Sequence, residues 1–342
     1  MGSLLHQYHE LPDGLLEAAP GHLADLLGGP SLIHLPGRRE QPLFVSLLLH
    51  GNETTGLYTL QSLLKRYREQ ELPRALSFFI GNVDAARDGL RRLAGQPDYN
   101  RVWPGSDYED SPEKRMMDEI VSIMRERRPF ASIDLHNNTG INPHYACINR
   151  IDHRFMHLAS LFSRTLVYFI RPVGVQSMAF AELCPSVTVE CGKVGQSAGE
   201  TRALEFVDAC LHLSEIPDHP VAAHDVDLFH TVAIVRVPRA YSFGFGDSSV
   251  DICFVDDLDH LNFRELPAGT TLAHIDGVEG LPLEASDEQG NEVAARFFRV
   301  EDNLLRTTRS VMPSMLTLDE RVIRQDCLGY LMERYPLPAG PA

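Results

Sequence analysis

The chain has 342 residues, of which 44% are hydrophobic and 23% charged, and its 31 Lys and Arg against 47 Asp and Glu leave a formal net charge of −16. That length suffices for one large domain or two modest ones, each with a real core. An acidic chain with no basic block or stripe argues against nucleic acid and anionic membrane surfaces as partners, while a few arginines in a cleft would still attract a small anion.

In chain order, the first β-rich apolar run is Pro42–Leu49, and Thr55–Arg68 follows with apolar residues at helical spacing. A strand Ala75–Gly81 comes next, then a helix Pro112–Arg127 that opens on Pro112 and Glu113. Strand Phe130–Leu135, helix Asp152–Ser163 with Asp152 as N-cap, strands Leu166–Ile170 and Ser186–Val189, and helix Glu200–Leu213 complete this part. Strands that are apolar throughout and separated by helices predict an α/β fold with a mixed, mostly parallel sheet covered by helices.

The texture changes near Pro217–His224, which sets expected domains at 1–220 and 221–342. Short alternating segments (Thr231–Val237, Asp251–Val255) and turn signals at Gly244–Asp247, Pro267–Gly269 and Gly277–Gly280 predict a smaller β-rich domain. The amphipathic stretch Leu318–Arg334 predicts a closing helix. No run approaches the roughly 20 apolar residues of a membrane span. The start of the chain, Met1–Pro20, has His and Glu where a signal peptide carries a basic and an apolar segment. The six cysteines (147, 184, 191, 210, 253 and 327) are scattered without a CxxC and read as reduced thiols of a cytoplasmic protein.

The polar residues gather where strands end. Pro42–Leu49 runs into His50-Gly51-Asn52-Glu53, Ala75–Gly81 into Asn82, Phe130–Leu135 into His136-Asn137-Asn138, and Ser186–Val189 into Glu190. Ligands of an open parallel sheet bind beyond the carboxyl ends of its strands. A catalytic zinc takes three His and carboxylate ligands and keeps a fourth position open, which His50, Glu53 and His136 would satisfy with one Zn2+ per chain. Glu190 would then serve as general base. The bare His-x-x-Glu pattern is weak, since His212-Leu-Ser-Glu215 also matches it; that copy lies in a helix and reads as a solvated face.

These residues fall within HGNETTG (50–56), DYNRVWPG (98–105), DLHNNTG (134–140) and VECG (189–192). In that order the four motifs resemble those of the zinc carboxypeptidase-like deacylases, and within them the succinylglutamate desuccinylase/aspartoacylase family. LNFRELPAGTTLA (261–273) resembles the C-terminal β domain of that branch, so the likeness covers about residues 40–280. The resemblance implies hydrolysis of an N-acyl amino acid, with His50, Glu53 and His136 as zinc ligands and Glu190 as the catalytic glutamate. It implies that Asn100 and Arg101 grip a substrate carboxylate and that Arg92, with Arg91 beside it, stabilises the oxyanion. The expected partner is a small anionic N-acyl amino acid; a homo-oligomer is compatible with the sequence.

One departure concerns the substrate. Aspartoacylases carry an arginine about ten residues before the catalytic glutamate to bind a second carboxylate, and Phe180 stands there, within the apolar run Met178–Ala181. Arg171 is a substitute for that role, and the competing reading makes the segment core. Tyr99 and Trp103 would reshape the pocket. Asp134 either orients His136 or merely finishes its strand, and Tyr241 either reaches the site or is structural. His144, His153 and His157 read as loop or surface residues, and Cys191 as core. Two other functions compete with the deacylase: a metallocarboxypeptidase acting on small peptides, and a non-catalytic protein that binds a metal or an amino acid.

Overall fold

The computed structural model describes residues 4–246 and 249–337. The chain divides into two compact units, the first taking residues up to Asn137 and His144–Asp227, the second Asn138–Pro143 and Leu228–Pro336.

The first unit holds strands β1 (His6–Tyr8), β2 (Ser31–Leu35), β3 (Leu43–Leu47), β4 (Leu76–Ile80), β5 (Ala131–Asn138), β6 (Tyr145–Ile148), β7 (Thr165–Tyr168) and β8 (Ser186–Lys193). They lie in the order β1-β2-β4-β3-β5-β8-β6-β7. Neighbours β3 and β4, β3 and β5, β6 and β7, and β1 and β2 are parallel, while β2 meets β4 and β6 meets β8 antiparallel. Every residue of β3 and β4 is buried, which is why both read as unbroken apolar runs and not as alternating ones.

The helices of this unit are α1 (Leu23–Leu27), α2 (Thr55–Arg66), α3 (Val83–Arg87), α4 (Pro112–Arg127), α5 (His153–Ser160), α6 (Gln176–Phe180) and α7 (Ser197–His212). Helix α4 starts at Pro112 because Ser111 accepts from the Lys114 N–H, and proline has no N–H to leave unpaired at the first position. Asp152 caps α5 by accepting from the Arg154 N–H. Met116, Met117, Ile120, Val121 and Met124 of α4 share one core with Phe44, Phe79, Trp103 and Phe180. Each large side chain buried there contributes about 1.5–3 kcal/mol.

The second unit is β-rich. A five-stranded sheet runs β10 (Phe243–Phe245), β11 (Ile252–Phe254), β12 (Thr271–Ile275), β15 (Leu304–Thr307), β14 (Phe298–Glu301). Strand β9 (Asp227–Arg236) pairs antiparallel with β13 (Glu284–Ser286) and with β17 (Gly329–Arg334), which in turn pairs with β16 (Met312–Ser314). Short helices α8 (Ala294–Phe297) and α9 (Glu320–Gln325) complete it. Its core gathers Val235, Ile252, Phe254, Phe297, Leu305 and Leu331. Residues 138–143 are knitted into the same unit: Asn142 Oδ1 accepts from Met315 N at 3.0 Å, and a Cβ on Gly140 would lie 1.8 Å from the Leu316 carbonyl, so only glycine fits.

The expected closing helix over Leu318–Arg334 is corrected. Only Glu320–Gln325 is helical, capped by Asp319, and the chain then enters β17, where Gly329, Tyr330 and Leu331 pair with Val235, Ile234 and Ala233. The expected turn Gly244–Asp247 ends on a residue outside the described set. No helix among the described residues is long and apolar enough to cross a membrane.

Candidate active site

The turn that carries His50 and Glu53 follows β3 through Leu48, whose φ of +53° is rare for a branched side chain. The Glu53 N–H closes the turn on the His50 carbonyl at 3.1 Å, and the Gly51 N–H reaches the Arg91 carbonyl at 3.1 Å. A Cβ on Gly51 would lie 2.3 Å from the Ala86 nitrogen, so glycine alone permits this approach of two backbones. The 91–92 segment is thereby held against the His50 turn.

His50, Glu53 and His136 converge. Their ligand atoms lie within 4.8 Å of one another and all three residues are buried. One Glu53 oxygen is 2.7 Å from His50 Nδ1 and the other is 2.7 Å from His136 Nδ1. Each ring turns its Nε2 to a different carboxylate, His50 to Asp98 Oδ1 at 2.9 Å and His136 to Asp134 Oδ2 at 2.8 Å. A carboxylate only accepts, so each Nε2 keeps its proton, while each Nδ1 faces a Glu53 oxygen and would give up its own proton to present a lone pair to a cation at the common centre. Imidazole rings anchored by a carboxylate on the far nitrogen are the usual arrangement of metal-ligating histidines. Asp134 is fully buried and its other oxygen accepts from Ser46 Oγ at 2.6 Å, so it orients His136 and does more than end a strand. Asn137 secures Glu53 through its N–H, 3.1 Å from Oε2, and its side chain spans Thr55 and the Gly192 carbonyl.

The charges also fit a cation. Glu53, Asp98, Asp134 and Glu190 are all buried, and the Arg91 guanidinium lies 3.1 Å from Asp98 and 3.5 Å from Glu53. Burial and Arg91 work against a charged His50, but Asp98 and Glu53 outweigh them and raise it. Burial alone would raise Glu53, yet the two imidazoles hold it below the usual carboxylate range. A divalent cation at the centre would take the place of the ring protons and offset the surplus of carboxylates. The residues present therefore fit a metal.

Glu190 lies on β8, which neighbours β5, and pairs with Tyr145 across to β6. Its carboxyl interacts electrostatically with His136, Glu53, His50 and Asp134, and burial pushes it up to about 7. Asn100 is buried, with Nδ2 3.2 Å from His136 Nε2 and its N–H on Asp98 Oδ1 at 2.8 Å. Arg101 is half-buried and donates to the Asn100 carbonyl at 2.8 Å.

The structure places the other residues singled out in the sequence as follows. Arg92 donates to the Gln96 carbonyl at 2.7 Å, so the adjacent Arg91 is the one whose guanidinium reaches the cluster. Phe180 is core: it is fully buried and stacks on Phe44, ring centroids 4.2 Å apart. Arg171 sits 3.5 Å from Asp107 and is half-buried. Tyr99 and Trp103 also belong to the core, and Cys191 is buried. Tyr241 packs on the core of the second unit. His153 and His157 meet the 219–221 segment, and His212 contacts Tyr67 on the exposed end of α7. The residue that sequence reasoning missed is Asp98, which joins His50, Arg91 and Asn100; its place at the head of DYNR was the available signal.

A family model described as the succinylglutamate desuccinylase/aspartoacylase catalytic domain matches residues 42–215. A succinylglutamate desuccinylase of Shewanella sp. (strain W3-18-1) is 24% identical over 263 residues, 69% of this chain and 74% of that protein. Among solved structures, the succinylglutamate desuccinylase of Chromobacterium violaceum is similar at a TM-score of 0.58 and 18% identity, covering 88% of this chain and 87% of that one. Murine aminoacylase 3 is similar at 0.58 and 15% identity, covering 88% and 98%. The structural likenesses speak for the fold, and the matched segment contains His50, Glu53, Asp98, Asn100, His136 and Glu190. The chain belongs to the succinylglutamate desuccinylase/aspartoacylase family.

Proposed function

We propose that this protein is a zinc-dependent deacylase that hydrolyses the amide bond of a small anionic N-acyl amino acid to an acid and a free amino acid. The observation that carries the reading is the convergence of His50 Nδ1, His136 Nδ1 and the Glu53 carboxylate, with both rings anchored from behind by carboxylates. Family membership supports a deacylase-type hydrolase. His50, Glu53 and His136 would hold the zinc, which when bound supplies a Lewis acid that polarises a carbonyl and acidifies water.

The remaining chemistry falls to the side chains around it. With its carboxyl near neutrality, Glu190 is suited to take a proton from the attacking water and return it to the leaving nitrogen. Arg91, at the rim of the cluster, is the better-placed donor to the developing oxyanion; removing such a donor typically costs about 2.7–4 kcal/mol of transition-state stabilisation. Asn100 and Arg101 would bind the α-carboxylate, the guanidinium offering a bidentate fork that a lysine cannot. Because Phe180 is core, a second carboxylate would not be gripped from that position.

The test is turnover by zinc-loaded and chelator-treated protein of N-acetyl and N-succinyl amino acids beside dipeptides. Zinc-dependent hydrolysis of N-acyl amino acids is expected. Hydrolysis of dipeptides alone would replace the reading with a peptidase, and amino-acid binding without any turnover would replace it with a binding protein.

A further inference from the structure

The short helix α6 begins at Gln176, a fully buried polar residue. The first N–H groups of a helix have no partner within it, and the residue before, Val175, offers no side-chain cap. The Gln176 N–H is instead taken by Asn100 Oδ1 at 3.0 Å. The Gln176 side chain fixes the helix start to the sheet, its Nε2 donating to Ser132 Oγ on β5 at 2.7 Å. The preceding loop follows the same course. Gly174, at φ +75°, accepts from the Trp103 N–H at 3.0 Å, and a Cβ there would lie 2.4 Å from the Arg101 carbonyl. Residues 174–176 thus clasp the whole 100–103 segment.

We propose that Gln176 is a positioning residue for recognition of the substrate carboxylate, its backbone N–H setting which end of the Asn100 amide faces the ligand. This rests on the reading of Asn100 and Arg101 as the carboxylate grip. A backbone N–H only donates, so the oxygen of the Asn100 amide faces it and the NH2 is left on the opposite side, 3.2 Å from a His136 Nε2 whose own proton goes to Asp134. Without that donor the amide is free to turn, and its oxygen would meet the substrate carboxylate with an acceptor against an acceptor. Neither Gly174 nor Gln176 touches the substrate in this scheme; both act through Asn100 and Arg101.

The test removes the N–H alone. Proline is tolerated at a first helical position, and Val175 is already extended (φ −91°, ψ 154°) as a residue before proline must be. Gln176→Ala sets the baseline for losing the side chain, and Gln176→Pro additionally loses the N–H. Probes are N-acetyl and N-succinyl amino acids, their α-carboxamides, and the free L-amino acids by calorimetry. Relative to Gln176→Ala, Gln176→Pro should raise KM for the carboxylates about 10-fold with kcat little changed, weaken free amino-acid binding equally, and spare the carboxamides. Gly174→Ala, which pushes the clasp off Arg101, should lose the same discrimination and stands in if the proline variant does not fold. Equal preference for carboxylate over carboxamide in folded Gln176→Pro and Gln176→Ala would overturn the proposal. Asn100→Ala is run in parallel: if it too leaves that preference intact, the carboxylate grip itself is wrong, whereas its loss there alone leaves the grip standing and refutes only the role of Gln176.

Discussion

Replacing Asp98 by asparagine should loosen the proposed zinc site without touching a proposed ligand. Asp98 accepts three bonds, from His50 Nε2 at 2.9 Å, the Asn100 N–H at 2.8 Å and Arg91 at 3.1 Å. An amide of the same shape keeps one acceptor and gains a donor. Facing its oxygen to His50 sets its NH2 against the Arg91 guanidinium, and turning it over sets the NH2 against the His50 Nε2 proton. The first orientation loses the Arg91 bond and the second loses both the His50 and the Asn100 bonds, so at least one charge-assisted bond goes, about 1.5–3 kcal/mol. At about 1.4 kcal/mol per tenfold change, zinc should bind about 10- to 150-fold more weakly, which agrees with the about 10- to 100-fold typical of outer partners of a ligating histidine. Competition with a fluorescent chelator measures this directly. Unchanged zinc affinity in a folded Asp98→Asn protein would refute the orientation of His50 by Asp98.

Glu190→Gln should lower kcat by about 10²–10⁴-fold while zinc content stays at the parent level, measured by steady-state kinetics and elemental analysis. Burial pushes the Glu190 carboxyl up to about 7, and a base works only when deprotonated. The rate of the parent protein should therefore fall as pH drops through about 7, and the residual activity of Glu190→Gln should lack that acid limb. Phe180→Ala should destabilise the protein by about 3–5 kcal/mol in denaturant melts, because the ring is core, and should leave the preference among acyl groups unaltered. Gly51→Ala should cost about 1–3 kcal/mol, since its Cβ meets the backbone of Ala85 and Ala86 and no flexible side chain can give way.

The sheet and its rim were legible because a strand buried on both faces is an unbroken apolar run, and the chemistry begins where that run stops. His50, His136 and Glu190 were therefore visible as polar residues at strand ends. Asp98 and Arg91 were not, because they lie on an irregular loop whose course is fixed by the Gly51–Arg91 backbone bond, and no local pattern tells which of two adjacent arginines turns inward. The three-residue strand β1 and the five-residue helix α6 are too short to show a period, and β2 does not read as an apolar run because His34 interrupts it. Residues 318–334 misled for a physical reason. Leu318, Val322, Ile323 and Leu331 have helical spacing, but pairing of Gly329–Leu331 with β9 outweighs it once the chain passes Asp326.

An anomalous-difference map recorded at the zinc edge from crystals of zinc-loaded protein would probe the metal directly. One peak should lie about 2.0–2.1 Å from both His50 Nδ1 and His136 Nδ1 and about 2.0–2.2 Å from a Glu53 oxygen, with each Nε2 still on its carboxylate. Zinc bound through Nε2, zinc bound elsewhere, or no peak in protein that hydrolyses N-acyl amino acids would contradict it.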